Sequence, residues 1–170
     1  MINIDKEVNS AIEILTEEYG YYNDLSELAK SKKKIIVEGK IAELDKMVKL
    51  EQNMIFNIGQ LERKREDIVS MLCKALNMNS AQITVSELAK VLKPELKNRL
   101  EDIQEKLQKV LSELKDANDV NGQLLEQSLE YIDYSINLVA GSGMETGSLY
   151  GDTGKNKGKQ GSKNIIDTKI

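Results

Sequence analysis

The longest apolar pattern in the chain begins at Leu96 and runs to Ala117 without an intervening Gly or Pro. Heptad spacing of this kind, in alternating steps of four and three residues, predicts one continuous α-helix that packs along another helix. A chain organised around such a helix is expected to be all-α. The positions that set the pattern are Leu96, Leu100, Ile103, Leu107, Val110, Leu114 and Ala117.

The apolar heptad positions form the seam along which the helix packs, and the pattern changes at the next seam position, which is Asn121. Beyond it the original register is more polar, with Leu124, Ser128 and Tyr131, while a second apolar stripe opens one residue later. A helix that packs against one neighbour needs only one stripe, so the second predicts either additional core or a groove for a partner. Both interpretations stay open from the spacing alone. The second apolar stripe consists of Leu125, Leu129, Ile132, Ile136 and Val139.

Similar periodic patterns predict helices over about residues 5–37, 41–76, 85–92 and 95–139. Gly39 in a short link indicates an antiparallel return, Thr84 can cap the third helix, and Pro94 can begin the fourth. The predicted fold is an elongated, antiparallel three-helix coiled-coil bundle with a short linker helix. Glu51 and Arg65 fall at seam positions, so each is expected to reach the bundle edge or to pair with a facing polar group.

Residues 1–140 are expected to form the helical domain and residues 141–170 a disordered tail. Seven of the eleven glycines lie in that last segment, which therefore has little apolar surface to bury. The segment holds five Lys and three acidic residues of a chain whose net charge is −4, so the helical domain is the acidic part. An acidic body disfavours nucleic acid as a partner.

Composition also excludes several classes of chemistry. The chain has no His and a single Cys, Cys73, which excludes a catalytic triad that depends on His, a disulfide within the chain and the usual zinc sites. No phosphate-binding loop or nucleophile elbow is present either. We therefore expect no enzymatic activity, no cofactor and no metal. No apolar run approaches the roughly 20 residues of a membrane span and no signal peptide is evident, so a cytoplasmic location is expected.

Asn118 and Asn121 stand three residues apart on one predicted helix face. A buried Asn can fix the register of a coiled coil, and an exposed amide can bond an incoming helix. The spacing favours neither role. The three tyrosines at Tyr19, Tyr21 and Tyr22 are expected to pack at the edge of the bundle, and they offer the alternative place for a binding site.

The stretch NDVNGQLLEQSLEYIDYSINLV resembles the signature segment of the FlgN family of flagellar export chaperones, whose last helix carries an N-x-x-N-x-x-L-L-x-x-S-L pattern. The order of long helix, Gly, long helix, variable linker and final helix is also similar, over about residues 5–140. Gly122 departs from the pattern, since a larger residue would favour the helix. Residues that match the pattern are Asn118, Asn121, Leu124, Leu125, Ser128 and Leu129, and Ile132, Ile136 and Val139 extend it by spacing.

The resemblance implies a cytoplasmic chaperone of the flagellar type III export system. Such a protein binds the C-terminal helical segments of hook-filament junction proteins, prevents their premature assembly and delivers them to gate or ATPase components of the export apparatus. It would be a monomer or a weak dimer, with no membrane insertion. The alternative is a coiled-coil homodimeric scaffold or adaptor with no role in secretion, in which both stripes close the dimer.

Overall fold

The computed structural model describes residues 3–79 and 83–142, which form four helices. They are α1 (Ile4–Val37), α2 (Ile41–Leu76), α3 (Val85–Ala89) and α4 (Pro94–Ser142), and this part of the chain contains no strand. The predicted all-α bundle is thus confirmed. The helix α3 ends three residues before its predicted end, and α4 continues three residues beyond its own. Most of the predicted tail, residues 143–170, lies outside the described residues.

The helix ends follow from local sequence. The Asn3 side chain accepts a hydrogen bond from the Lys6 backbone N–H at 3.3 Å, and the Thr84 hydroxyl accepts one from the Glu87 N–H at 3.2 Å. After α1, Gly39 adopts φ +65°, a left-handed conformation that favours glycine. The N–H groups of Gly39 and Lys40 then reach back into the last turn of α1, which closes that helix with a Schellman motif. The short link to α2 is the result.

Two ion pairs between α1 and α2 show that these helices are antiparallel. Glu18 pairs with Arg65 at 3.3 Å, and Lys32, later in α1, pairs with Glu51, earlier in α2, at 2.5 Å. Both charged seam residues of α2 therefore pair with polar groups on the facing helix, as one of the two sequence-based alternatives predicted.

The long helix α4 runs parallel to α1. The Arg99 guanidinium donates a hydrogen bond to the Asn9 side chain at 2.8 Å, and the Asn121 amide donates to the Ala29 carbonyl at 2.7 Å. Chain direction is therefore up in α1, down in α2 and up in α4. This alternation places α1 and α4 side by side through at least Asn121.

The described chain divides into two compact units, with the boundary between Tyr131 and Ile132. In the first unit, one core cluster collects buried residues from all four helices and from the bend before α4. Members of the core cluster are Val8, Ile12, Ile68, Leu72, Leu88, Leu92, Leu96, Leu100, Ile103 and Leu107.

Among the described helices, none has an apolar stretch of the length that a membrane span requires.

Glu18 is a buried carboxylate within this bundle, and burial raises its pKa above the ordinary value of 4.5 even though Arg65 acts in the opposite direction. The folded state then holds the proton more tightly than the unfolded state. The contribution of Glu18 to stability is accordingly full below the unfolded pKa and is lost as pH rises through the folded pKa.

We expect the free energy of unfolding of the native chain, minus that of Glu18→Gln, to fall as pH rises from 4.5. The amide keeps the shape of the side chain and cannot ionise. Urea titrations of both proteins at pH 4.5, 5.5 and 7 measure the difference. A difference that grows with pH would mean that Arg65 outweighs burial.

Candidate functional site

The predicted partner-binding residues all lie on α4, which is tied to α1 along the approach to them. Lys30 of α1 pairs with Glu113 at 3.1 Å, and further along α4 the Asn121 amide reaches the Ala29 carbonyl. These contacts hold one side of α4 against α1. The other side of α4 turns toward α2.

Asn121 is a buried residue of the bundle rather than a surface residue, with 4% of its area exposed. Its side-chain nitrogen is engaged by Ala29, while its side-chain oxygen is buried and accepts no hydrogen bond from the described residues. The spacing left two roles open for this amide, fixing the register of the helices or bonding an incoming helix, and the buried placement favours the first. Its assignment to the partner-binding surface stays a prediction.

Asn118 lies on the surface, at an open cleft of about 390 Å³ where α1, α2 and α4 meet. Tyr22 and Leu25 of α1, Ile55 and Ile58 of α2, and Leu114 of α4 are among the residues that line this cleft with it. A primary amide here can still donate and accept hydrogen bonds. The two asparagines thus have separate environments although they are only three residues apart.

Replacing Asn121 with Leu is expected to leave the free energy of unfolding unchanged or to raise it. The change removes a buried oxygen that has no partner, and Leu suits a seam position better than an amide does. Thermal unfolding followed by circular dichroism measures the effect. A fall of more than about 1 kcal/mol would show that the hydrogen bond to Ala29 outweighs both gains.

The residues after Asn121 separate into a half-buried and an exposed set. Leu124 and Ser128 are half-buried, and the Ser128 hydroxyl donates to the Leu124 carbonyl at 2.8 Å within the helix. Leu125 and Leu129 are 38% and 63% exposed. The hydroxyl of Ser128 is thus engaged within α4, and the large apolar surface belongs to the second stripe.

The hydrogen bond between Asn121 and Ala29 shows where α1 ends relative to α4. Asn121 stands 92 positions after Ala29, its hydrogen-bond partner, so the residue level with Val37 at the end of α1 is Leu129. Within the first unit, α1 therefore ends at about the level of Leu129, and it leaves Leu125 and Leu129 exposed although it extends alongside them.

The remaining predicted residues belong to the second compact unit, in which the described part is helical to Ser142. Ile132, Ile136 and Val139 are all exposed there. The chain thus presents large aliphatic side chains on both sides of the unit boundary.

One apolar surface was not anticipated from the sequence. Ile41, Val48 and Ile55 occupy heptad positions in the sequence of α2, and all three are exposed, together with Phe56. Apolar heptad spacing in this half of α2 therefore does not mark buried core. The heptad spacing does identify the residues, but spacing cannot show whether a neighbouring helix reaches them.

Metal-binding chemistry has no support in the described ranges. No three or more Cys, Asp or Glu side chains in residues 3–79 and 83–142 come together in a way that could hold a metal ion. Cys73 is a free, half-buried thiol in α2. The expectation of no cofactor stays a prediction.

Comparison with protein families decides what kind of protein carries this surface. The family model described as FlgN protein matches residues 1–158, which is most of the chain. The chain belongs to the FlgN family. FlgN proteins are chaperones that act in flagellum assembly and export, so this FlgN-family protein is a flagellar export chaperone, and its family is not an enzyme family. Comparisons with curated proteins and with solved structures find no match.

Proposed function

We propose that this FlgN-family chain is a cytoplasmic chaperone of hook-filament junction proteins. It binds their C-terminal helical segments, prevents premature assembly and delivers them to gate or ATPase components of the flagellar export apparatus. The observation that supports this proposal is the exposed apolar surface on α4, with Leu129 at 63% exposure in a chain of acidic, charged character.

The proposed client-binding residues are those of the α4 segment that begins at Asn118. Terminal helices of axial proteins are amphipathic because they pack against one another in an assembled filament, and an exposed aliphatic stripe can cover such a face in a helix-in-groove mode. The residues are Asn118, Asn121, Leu124, Leu125, Ser128, Leu129, Ile132, Ile136 and Val139.

The energetics of this surface suit a transient complex. Burial of each large aliphatic side chain contributes about 1.5–3 kcal/mol before the costs of association and ordering are subtracted. A few such side chains give an affinity that protects a client and still allows release. No nucleotide chemistry is required of the chaperone itself.

Co-purification tests the proposal. The full chain should retain a hook-filament junction protein but not the same protein truncated before its C-terminal helical segment. Retention of both forms, or of neither, would contradict the proposed role.

Size-exclusion chromatography with light scattering separates the proposal from a homodimeric scaffold. The chaperone is expected to be a monomer or a weak dimer whose α4 amides exchange rapidly beyond Asn118. A tight dimer in which those amides are protected would support the scaffold, since its own second copy would then cover the stripe.

A further inference from the structure

The exposed residues of α2 form a stripe of their own. Ile41, Val48 and Ile55 are spaced seven residues apart, which places them on one face of the helix, and Ile55 is 58% exposed. We refer to these three residues as the α2 stripe. Three large aliphatic residues in line, left uncovered at seam spacing, are typical of a surface that another helix covers.

The α2 stripe faces the side on which α4 lies. Ile55 and Asn118 line the same cleft, so these two residues are opposite each other. One heptad further along each helix, in opposite chain directions, stand Val48 and Leu125, on the same two faces. Both are exposed. The two faces therefore turn toward each other without covering each other.

The ion pair and the hydrogen bond between neighbouring helices give a register of α2 and α4 that agrees with the cleft to within about one helical turn. Lys32 is level with Glu51 through their ion pair, and also with Leu124 through the neighbouring Ala29–Asn121 hydrogen bond. Glu51 and Leu124 are thus level, and one turn further Val48 comes level with Ser128. Asn121 fixes α4 to α1. By the groove we mean the cleft that Ile55 and Asn118 line, together with its continuation along the exposed residues Val48 and Leu125.

Carboxylates outnumber lysines along the rim of this groove. Glu62 lines the cleft, and Asp119 and Glu126 directly follow Asn118 and Leu125 on α4, while Lys115 follows Leu114. None of these three carboxylates has a Lys or Arg within 4.0 Å in the part of the chain that the structure describes. Lys32, the cation nearest the groove floor, is already paired with Glu51.

We propose that this groove is the docking site for one amphipathic helix whose apolar stripe is flanked by Lys or Arg. Val48 and Ile55 form one wall, and Leu125 and Leu129 form the other. The proposal rests on the proposed function and adds to the client site a second wall, on α2. Ile41 and Ile55 are 14 positions apart, about 21 Å of helix, which matches an occupant of roughly four turns.

Fluorescence anisotropy with two synthetic probes tests the groove. Both probes are 18-residue helical peptides with Leu at heptad positions, one flanked by Lys and the other by Glu. The double variant Val48→Ser with Ile55→Ser is compared with Leu50→Ser, a change at an exposed α2 residue (52%) that is not part of the stripe. The Lys-flanked probe should bind the native chain, lose about tenfold or more in affinity on the double variant, and bind Leu50→Ser within about twofold of native.

The Glu-flanked probe should bind about tenfold more weakly than the Lys-flanked probe, and the difference should shrink in high salt. Equal affinity for both probes would overturn the charge assignment. Unchanged affinity of the Lys-flanked probe for the double variant would overturn the docking site. If the double variant melts at a temperature far below that of Leu50→Ser, the α2 stripe is already packed in the free protein. If the native chain is a dimer and the double variant is not, the occupant of the groove is a second copy of the chain.

A C-terminal segment of a junction protein, titrated in parallel, distinguishes failure of the groove from failure of the proposed function. If that segment does not bind while the Lys-flanked probe binds through Val48 and Ile55, the groove stands and the junction-protein role fails. If the segment binds the native chain and the double variant equally, the role stands and the groove fails.

Discussion

Replacing Leu72 with Ala is expected to lower the free energy of unfolding by about 2–5 kcal/mol. Leu72 is 1% exposed and belongs to the core cluster that joins α1, α2, α3 and α4. Truncation removes buried methyl groups and leaves a cavity that the surrounding helices fill only in part. Urea unfolding followed by far-ultraviolet circular dichroism measures the change.

The control for this prediction is Leu50→Ala on the same helix. Leu50 is exposed, so its truncation is expected to change the free energy of unfolding by no more than about 0.5 kcal/mol. Similar effects of the two substitutions would contradict the placement of the core near Leu72.

The double change Leu129→Asp with Ile136→Asp is expected to abolish co-purification with a hook-filament junction protein. It places two charges on the exposed surface assigned to the client, where desolvating an unpaired carboxylate costs several kcal/mol. Unfolding of the native and variant chains should nevertheless be nearly alike, because both side chains are largely exposed in the free protein.

Val120→Asp serves as the matched control, since Val120 is an exposed apolar residue of α4 that lines a cleft toward α1. It is expected to retain the client. Normal binding by the double variant would place the site elsewhere, with the Tyr19 to Tyr22 edge as the next candidate. Global unfolding of the double variant would make the stripe ordinary core.

The helices could be predicted because their boundaries depend on local chemistry. Gly39 ends α1 by adopting a left-handed conformation, Thr84 caps α3 with its hydroxyl, and Pro94 begins α4. Heptad spacing then gave the all-α bundle. The same spacing marked Glu51 and Arg65 as charges that need partners, and the structure supplies Lys32 and Glu18.

The sequence could not predict which apolar residues are buried, because burial depends on whether a neighbouring helix extends far enough to pack against them. Ile55 and Leu72 both occupy seam positions of α2, yet Ile55 is exposed and Leu72 is buried. The environments of Asn118 and Asn121 differ for the same reason. The hydrogen bond to Ala29 shows that the Asn121 amide is internal, whereas Asn118 lines a cleft.

Hydrogen–deuterium exchange of the full chain, with and without the C-terminal segment of a hook-filament junction protein, tests the client site on α4 most directly. The account predicts strong new protection of α4 amides beyond Asn118, where the free helix has few neighbours, and little change around Leu72. Saturating binding of the segment with unchanged exchange beyond Asn118 would contradict it.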